Sequence, residues 1–476
     1  MFNLAQLLNA PGAREFHIHF SGICGTAMAG VAAELGALGA RVTGSDQAAY
    51  PPTAPFLASR GIPVAAGYRA ANLEPAPDLV VIGNALSRGN PEVEAVLDRG
   101  LAYCSLPELL RWGFLPGRRP LVVTGTHGKT TTAALCTWLL HRAGLDPSWL
   151  VGGIPLGLER GFHRGEGEAF VLEGDEYDTA FFDKRSKFLH YQARVLILNN
   201  LEFDHADIFD DLEAIRRSFR HLLRTVPASG LVVANRDDPE VMGLAAAAPC
   251  PVVTYSVREP VADWYGEAEP GLLHVRGPGG LALSLEHALV GSHQGWNLLA
   301  ALAATAAYGL DAAQLVAGIE TFPGVRRRGE LRGEVGGVAV YDDFAHHPTA
   351  IRGTLAGFRE RFPGRRIWAV LEPRSNTMRR GRFQGELAGV FADADRVCLR
   401  AVPDADKAPA ADRLDVIALA GAVTAAGVPA QAFPDAAAII AHLVPRARAG
   451  DVVVVLSNGG FEGIHEGLLA TLAALA

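Results

Sequence analysis

Short apolar runs recur along the chain, and each is followed by a glycine-containing turn and a stretch with helical spacing. The first run covers residues 16–22 (FHIHFSG) and precedes a helical pattern over residues 26–38. The second covers residues 120–125 (PLVVTG) and precedes a pattern that predicts a helix over residues 129–142. A third series begins near Gly336 with GVAVYDDF. The pattern predicts alternating strands and helices.

Gly144 is expected to end the helix that follows the second run. Further apolar runs are typical of buried strands. These runs lie at residues 41–44, 169–173, 194–199, 231–235, 366–372 and 451–457. Strands that alternate with helices predict an α/β fold with largely parallel sheets, whose ligands bind at the carboxyl ends of the strands. Functional residues are therefore expected directly after these runs. Proline-containing polar stretches at residues 116–120 and 322–328 are the expected domain boundaries.

Composition narrows the class of protein. A chain of 476 residues predicts about three domains. The formal charge of −8 argues against a nucleic-acid-binding protein that relies on a general basic field. The five cysteines form no C-x-x-C pair, so neither a disulfide framework nor a zinc knuckle is indicated. The beginning of the chain has no secretory pattern, and the longest apolar window is shorter than the ~20 residues that cross a bilayer. A cytoplasmic protein without membrane insertion is expected.

The most specific motif lies between the second strand and its helix. It consists of Gly125, Thr126, His127, Gly128, Lys129, Thr130 and Thr131. Backbone N–H groups and a helix N-terminus in such a loop surround phosphate oxygens, the lysine adds a point charge, and the following hydroxyl reaches Mg²⁺. Only two residues separate the glycines, fewer than in the standard phosphate loop. The alternative is a tight turn with a surface lysine.

Two acidic segments follow predicted strands, as ligands of a Mg²⁺-nucleotide site would. Glu173 ends one strand and begins the segment 173–178 (EGDEYD), and the segment 199–207 (NNLEFDHAD) follows the next. Hard oxygen ligands suit Mg²⁺, and a strand end can present them to phosphates. Each segment by itself is also compatible with a solvated loop or a helix cap. Their shared position after parallel strands favours a site.

The first strand–helix unit carries weaker information. Cys24 and Ala27 stand where a dinucleotide fingerprint that starts at Gly22 requires glycines, so the unit is not an NAD signature. The segment from Gly22 to Gly25 can still turn before a helix N-terminus that favours an anion. Asp46, which follows the next strand, is placed to accept a hydrogen bond from a ribose or sugar hydroxyl. A purely structural turn is the alternative.

Taken together, the ordered motifs resemble those of the Mur ligases, the ATP-dependent amide-forming enzymes of cell-wall synthesis. They are residues 125–131, Glu173, residues 204–205, 291–297, 326–330 and 341–348. The resemblance covers nearly the whole chain. Within the family, four segments resemble the branch that joins UDP-N-acetylmuramate to the recycled tripeptide L-alanyl-γ-D-glutamyl-meso-diaminopimelate. These segments are residues 181–188, 199–209, 371–378 and 457–461.

The resemblance implies roles for particular residues in the use of ATP and Mg²⁺. Lys129 would stabilise the transferring phosphoryl group, and Thr130, Glu173 and His205 would hold Mg²⁺ directly or through water. Asn297 and Asp343 would contact adenine and ribose, with Gln294 at a position where many Mur ligases have Asn. Arg328 would reach the phosphates from the domain boundary. His347 would lie in the same ATP-facing segment as Asp343. The implied catalytic residues are Lys129, Glu173, His205, Arg328 and Asp343.

The resemblance also implies where the other substrates bind. The candidates for the UDP-sugar are Gly22, Cys24, Gly25, Ser45, Asp46 and Asn84. Those for the peptide are Arg374, Ser375, Asn376, Thr377, Ser457 and Asn458. Arg374 is the main candidate because a guanidinium pairs bidentately with a carboxylate. A plain surface arginine after Pro373 is the alternative.

The expected architecture is an α/β chain of three domains. A Rossmann-like UDP-sugar domain covers residues 1–117, a central P-loop ATPase-like domain with a mainly parallel sheet covers 118–323, and a Rossmann-like peptide-binding domain covers 324–476. The partners are small molecules, UDP-N-acetylmuramate and the murein tripeptide, with no nucleic acid; the oligomeric state is left open. The alternatives are a ligase that uses L-alanine instead of the tripeptide and a nucleotide-binding switch without ligase activity.

Overall fold

The computed structural model describes residues 16–49, 53–203, 208–209, 211–404 and 412–475. Three main sheets follow one another along the chain, each with helices packed on it. The N-terminal unit has a five-stranded parallel sheet in the order β3-β2-β1-β4-β5. Its strands are β1 His17–Ser21, β2 Arg41–Asp46, β3 Val64–Ala66, β4 Leu79–Ile82 and β5 Tyr103–Ser105. Its helices are α1 Thr26–Ala37, α2 Thr53–Ser59, α3 Pro91–Asp98 and α4 Leu106–Gly113.

The central unit contains a ten-stranded sheet in the order β17-β16-β15-β14-β13-β12-β6-β9-β7-β8 and a separate β10-β11 hairpin. Its first strands are β6 Arg119–Thr124, β7 Ser148–Leu150, β8 Phe162–His163, β9 Ala169–Glu173, β10 Asp178–Ala180 and β11 Asp183–Ser186. The later strands are β12 Val195–Leu198, β13 Leu231–Asn235, β14 Val252–Ser256, β15 Trp264–Glu269, β16 Leu272–Arg276 and β17 Ala282–Glu286. The helices are α5 Lys129–Arg142, α6 Leu212–Leu223, α7 Pro239–Ala245, α8 Gln294–Ala306 and α9 Ala312–Glu320.

The C-terminal unit has a six-stranded sheet in the order β18-β19-β23-β20-β21-β22, in which only the β18-β19 pair is antiparallel. The strands are β18 Arg328–Val335, β19 Val338–Asp343, β20 Ile367–Leu371, β21 Arg396–Arg400, β22 Ala430–Phe433 and β23 Val452–Leu456. The helices are α10 Pro348–Arg361, α11 Gln384–Leu387, α12 Val416–Ala425, α13 Ala436–Leu443 and α14 Ile464–Leu475.

The central strands of these sheets are apolar along their whole length because helices cover both faces. β12 (VLIL) and β23 (VVVVL) are buried at every position, and the core residues of the central unit form two clusters, one on each face of the sheet. The predicted α/β class with mainly parallel sheets is thereby confirmed. The predicted domain boundaries at residues 117 and 323 each fall between two sheets. That each of the three ranges forms one domain stays a prediction.

The element that positions the phosphate loop has the bounds expected from the sequence. Helix α5 runs from Lys129 to Arg142, and Gly144 adopts a left-handed conformation (φ +77°) just beyond it. Across the described residues, none of the helices combines the length and the apolar character that spanning a membrane requires.

Candidate active site

The loop between β6 and α5 needs glycine at two positions for different reasons. Gly125 (φ +132°) and Gly128 (φ +79°) both have conformations that L-residues avoid. A Cβ atom on Gly128 would also lie 2.3 Å from Oδ1 of Asn297. Asn200, which follows β12, holds the loop by accepting the backbone N–H of His127 at 2.7 Å. The loop is thus a rigid turn at a helix N-terminus, the geometry that binds phosphate.

The ammonium group of Lys129 folds back over this loop. Its Nζ donates to the carbonyl oxygen of Gly125 at 2.7 Å and to Oε1 of Glu176 at 3.0 Å. Burial by itself lowers the pKa of Lys129, but the carboxylates of Glu176 and Asp175 outweigh burial, so the pKa lies above its ordinary value. Lys129 is therefore a permanent cation at the loop. Glu176 lies in the acidic segment 173–178, but its contact with Lys129 was not predicted from the sequence.

Thr130 and Glu173 come together as expected, on the first turn of α5 and at the end of β9. The hydroxyl of Thr130 donates to Oε1 of Glu173 at 2.8 Å, and the N–H of Gly152 donates to Oε2 at 2.7 Å. A hydroxyl and a carboxylate beside a phosphate loop are hard oxygen donors and fit Mg²⁺. The third predicted ligand, His205, lies outside the described residues.

Arg328 reaches the same point from the C-terminal unit. Its Nη2 donates to the hydroxyl of Thr130 at 3.2 Å, and its guanidinium lies 4.7 Å from the centre of the Phe344 ring. Burial lowers the pKa of Arg328, opposed by the charges of Asp343 and Glu173, and a guanidinium stays protonated in any case. The structure thus places two cations, Lys129 and Arg328, at the phosphate loop.

Asp343 organises the segment that carries Arg328. One carboxylate oxygen accepts the N–H of Gly329 at 2.8 Å, and the other accepts the N–H of Ala345 at 2.9 Å and the hydroxyl of Thr354 at 3.2 Å. Burial raises its pKa, opposed chiefly by the charge of Arg328. Gly329 adopts φ +65° and supplies the first of these donors. A ribose contact of Asp343 would share oxygens that these groups already occupy.

The two predicted adenine-side amides lie on α8 and bond to each other. Nδ2 of Asn297 donates to Oε1 of Gln294 at 2.9 Å, and Oδ1 of Asn297 accepts the hydroxyl of Thr132 at 3.1 Å. Both side chains are buried. The longer side chain of Gln294 is accommodated by this contact, and direct nucleotide binding by either residue stays a prediction.

His347 lies at the start of α10, where its Nδ1 accepts the N–H of Thr349 at 3.4 Å. Its ring is 4.9 Å from that of His127 in the phosphate loop, measured between ring centres. Between them, Glu202 bonds to Nε2 of His127 at 3.2 Å and accepts the hydroxyl of Thr349 at 2.9 Å. The hydrogen bond and charge of His127 lower the pKa of Glu202 to about 2, so Glu202 is an anion that joins the central and C-terminal units. Glu202 lies in the acidic segment 199–207, but this role was not predicted from the sequence.

The UDP-sugar candidates gather at the carboxyl ends of β1, β2 and β4. The N–H of Gly22 (φ +87°) donates to the carbonyl of Ser45 at 2.8 Å, and the N–H of Cys24 donates to Oδ2 of Asp46 at 2.9 Å. Gly25 caps α1, and Asn84 is exposed after β4. The side chain of Ser45 points inward, since its hydroxyl donates to the buried Glu92 at 2.6 Å. Ser45 is fully buried, so this hydroxyl does not face a ligand at the strand ends.

The peptide candidates gather at the carboxyl ends of the neighbouring strands β20 and β23. Arg374 is exposed and packs against Gly459, and it has no carboxylate partner among the described residues. The other polar groups are held by local bonds: Ser375 accepts the N–H of Met378 at 3.1 Å, Asn376 accepts from Arg379 at 3.3 Å, Thr377 is buried, and Ser457 donates to Glu372 at 2.5 Å. Oδ1 of Asn458 is buried without a hydrogen-bond donor from the described part of the chain.

Comparison with known proteins agrees with this geometry. Three family descriptions match successive parts of the chain: "Mur ligase family, catalytic domain" over residues 17–113, "Mur ligase middle domain" over 123–305, and "Mur ligase, glutamate ligase domain" over 327–459. The chain is 46% identical to the UDP-N-acetylmuramate–L-alanyl-γ-D-glutamyl-meso-2,6-diaminoheptandioate ligase of Escherichia coli, covering 96% of this chain and 99% of the relative.

Two further proteins share a lower sequence identity with this chain. The UDP-N-acetylmuramate–L-alanine ligase of Renibacterium salmoninarum is 34% identical, with 96% of each chain covered. The crystal structure of a murein peptide ligase from Psychrobacter arcticus superposes with a TM-score of 0.74 at 38% identity, covering 97% of this chain and 99% of that one. The fold, the ordered motifs and the extent of these matches establish that the chain belongs to the Mur ligase family.

Proposed function

We propose that this chain is an ATP-dependent ligase that joins UDP-N-acetylmuramate to L-alanyl-γ-D-glutamyl-meso-diaminopimelate. The observation that carries the proposal is the meeting of Lys129, Thr130 and Arg328 at one phosphate loop, in a chain 46% identical to a ligase named for those substrates. A simple nucleotide-binding switch needs the phosphate loop alone. It does not require an arginine that reaches the loop from another sheet.

The first chemical step is the activation of a carboxylate. An oxygen of the sugar's lactyl carboxylate attacks the γ-phosphorus of ATP, the bond to the β–γ bridging oxygen breaks, and ADP leaves with that electron pair. Lys129 and Arg328 would stabilise the negative charge on the transferring group, and their position at the phosphate loop supports this role. Glu173 and Thr130 would hold Mg²⁺, together with His205; the ion supplies further neutralisation of phosphate charge.

The second step forms the amide. The free amine of the tripeptide attacks the carbonyl carbon of the acyl phosphate, inorganic phosphate leaves, and the nitrogen loses one proton. The intermediate hydrolyses if water reaches it, so contact between the two units is part of the chemistry. The hydrogen bonds of Arg328 with Thr130 and of Glu202 with Thr349 support such a closed arrangement.

Peptide selection is assigned to the ends of β20 and β23. Arg374 lacks a carboxylate partner among the described residues, and the substrate tripeptide carries several carboxylates. Asn458 offers a buried carbonyl oxygen that an ammonium group of the peptide would satisfy. The single amine of L-alanine is the attacking group, so L-alanine has no second ammonium group for Asn458 while it reacts.

The test is a comparison of two amine substrates. The purified protein is supplied with ATP, Mg²⁺ and UDP-N-acetylmuramate, and phosphate release is measured after addition of tripeptide or of L-alanine. We expect release with the tripeptide and far less with L-alanine. The opposite preference would reassign the chain to the L-alanine branch, and release with neither would favour the nucleotide-binding switch.

A further inference from the structure

A cavity of about 640 Å³ lies away from the phosphate loop, between helix α4 of the N-terminal unit and the central sheet. Five of its lining residues are basic: Arg111, Arg118, Arg185, Arg194 and His221. No carboxylate is among the described residues that line it. The chain as a whole has more acidic than basic residues, 51 against 43, so this composition differs sharply from that of the molecule.

The position of the cavity separates it from the active site. Arg118 immediately precedes β6, and Arg194 immediately precedes β12, so both lie at the amino-terminal edge of the central parallel sheet. The phosphate loop follows the carboxyl end of β6. Six residues of strand, at ~3.3 Å each, put about 20 Å between the two edges. The proposed ATP, sugar and peptide sites all lie at carboxyl ends of strands.

Asp183 and Glu108 act on Arg185 and offset only part of the positive charge of the cavity. Among the described residues, Arg185 pairs with Asp183 through Nη2 at 2.7 Å, but Arg111, Arg118 and Arg194 have no carboxylate partner. Arg118 donates to the carbonyl oxygen of Gly167, which leaves its positive charge in place. Three guanidinium groups around one concave surface repel each other and attract a multiply charged anion.

The walls between the arginines are apolar, with Leu115, Leu189 and Pro227 among them. Guanidinium groups bind phosphate oxygens bidentately, whereas an apolar wall suits an organic body attached to the phosphates. We propose that this cavity is a second anion site that binds a diphosphate group, either free or as part of a small organic ester. A bound diphosphate would bridge α4 and the central sheet and so hold the first two units together.

The probe for the test is inorganic pyrophosphate, titrated calorimetrically into the full chain. The same titration is run with Lys129→Ala, which weakens the phosphate loop, and with the double variant Arg111→Ala/Arg194→Ala. We expect a pyrophosphate site that persists in Lys129→Ala and weakens roughly tenfold per lost guanidinium in the double variant. Hydrogen exchange should show protection by pyrophosphate near residues 114–118 and 191–194 only where both arginines are present.

The matched control is Arg217→Ala/Arg352→Ala, which removes two exposed arginines that also lack carboxylate partners among the described residues but lie outside the cavity. It should bind pyrophosphate as the wild type does. Equal binding by both double variants, or loss of all binding in Lys129→Ala, would refute the site. A parallel titration with UDP distinguishes the two ligand sources when it is compared between the wild type and Arg111→Ala/Arg194→Ala, because binding at the UDP-sugar site is common to both. Arginine-dependent binding of UDP that is tighter than that of pyrophosphate indicates an ester, and equal or weaker binding indicates the free anion.

Discussion

At the scale of single residues, the ion pair of Lys129 and Glu176 serves both the stability of the fold and catalysis. Their side chains are only 13% and 4% exposed, and the two charged groups lie 3.0 Å apart. A buried cation needs a partner because desolvation is costly, and a phosphoryl-transfer site needs that cation. Glu176 is the partner of the buried ammonium group while the nucleotide is absent. When phosphates arrive, Lys129 can exchange one set of anionic oxygens for another.

The Lys129→Ala variant should lose both functions. We expect no measurable phosphate release, together with destabilisation of about 3 kcal/mol because the buried carboxylate of Glu176 loses its ammonium partner. Urea denaturation and the phosphate assay measure the two effects. The double variant Lys129→Ala/Glu176→Gln should regain much of the stability without regaining activity. An active Lys129→Ala protein would contradict the role given to the lysine.

Glu176→Gln should change the pH dependence of the reaction. In the wild type the carboxylates outweigh burial and keep the pKa of Lys129 high, so the ammonium persists through alkaline pH. Without the charge of Glu176, burial lowers the pKa of Lys129, and the active protonated form is lost at a lower pH. A fall in kcat/KM with rising pH should therefore appear between pH 7 and pH 10 in Glu176→Gln, whereas the wild type keeps its Lys129 ammonium across this range. A uniform loss of rate without this fall would point to a structural role only.

At the scale of elements, the junction of β6 with α5 depends on Gly128. Gly128→Ala would place a methyl group 2.3 Å from Oδ1 of Asn297 on α8, in addition to the strain of φ +79°. The loop must then move, and we expect the KM for ATP to rise at least about tenfold, which corresponds to 1.4 kcal/mol. Steady-state kinetics with varied ATP measure this change.

Gly144→Ala is the matched control at the other end of the same helix. Gly144 has nearly the same backbone conformation, φ +77°, but no atom lies within 4 Å of an added Cβ. It should cost about 1 kcal/mol in stability through strain alone and leave the KM for ATP unchanged. If both variants raised the KM equally, backbone strain rather than the contact with Asn297 would explain the effect.

Local patterns allowed much of this element structure to be predicted. The bounds of α5, the glycine beyond it and the all-apolar strands follow from periodicity and turn chemistry within short stretches of sequence. The roles of Glu176 and Glu202 were not predicted, because their partners Lys129 and Thr349 are 47 and 147 residues away. The approach of Arg328 to the phosphate site was expected only through the family resemblance, and its contact with Thr130 was not predicted, since it depends on how two sheets are placed.

At the scale of the whole molecule, the central and C-terminal units are joined by charged and polar contacts rather than by a single apolar core. Arg328 bonds to Thr130, and Glu202 bonds to Thr349 while its other contact is to His127. Such contacts form and break at low cost, since water can replace each partner. This suits a ligase that must admit ATP and two further substrates and then exclude water during acyl transfer.

The contacts of Glu202 predict how stability depends on pH. Its pKa is lowered to about 2 in the folded protein, whereas an unfolded glutamate has a pKa near ~4.3. A lowered pKa stabilises the folded state fully above the unfolded value, and this stabilisation is lost as pH falls from ~4.3 towards about 2. Urea denaturation at several pH values should therefore show Glu202→Gln less stable than wild type at pH 6, with a difference that shrinks below pH 4.

Since Glu202 is 40% exposed, added salt should reduce the difference in stability between Glu202→Gln and wild type as well. Thr349→Val removes one hydrogen bond of Glu202 without removing its charge. The stability of Thr349→Val should therefore depend on pH largely as that of the wild type does. A Glu202→Gln protein that matches wild type at every pH would show that this contact between the units carries no stability.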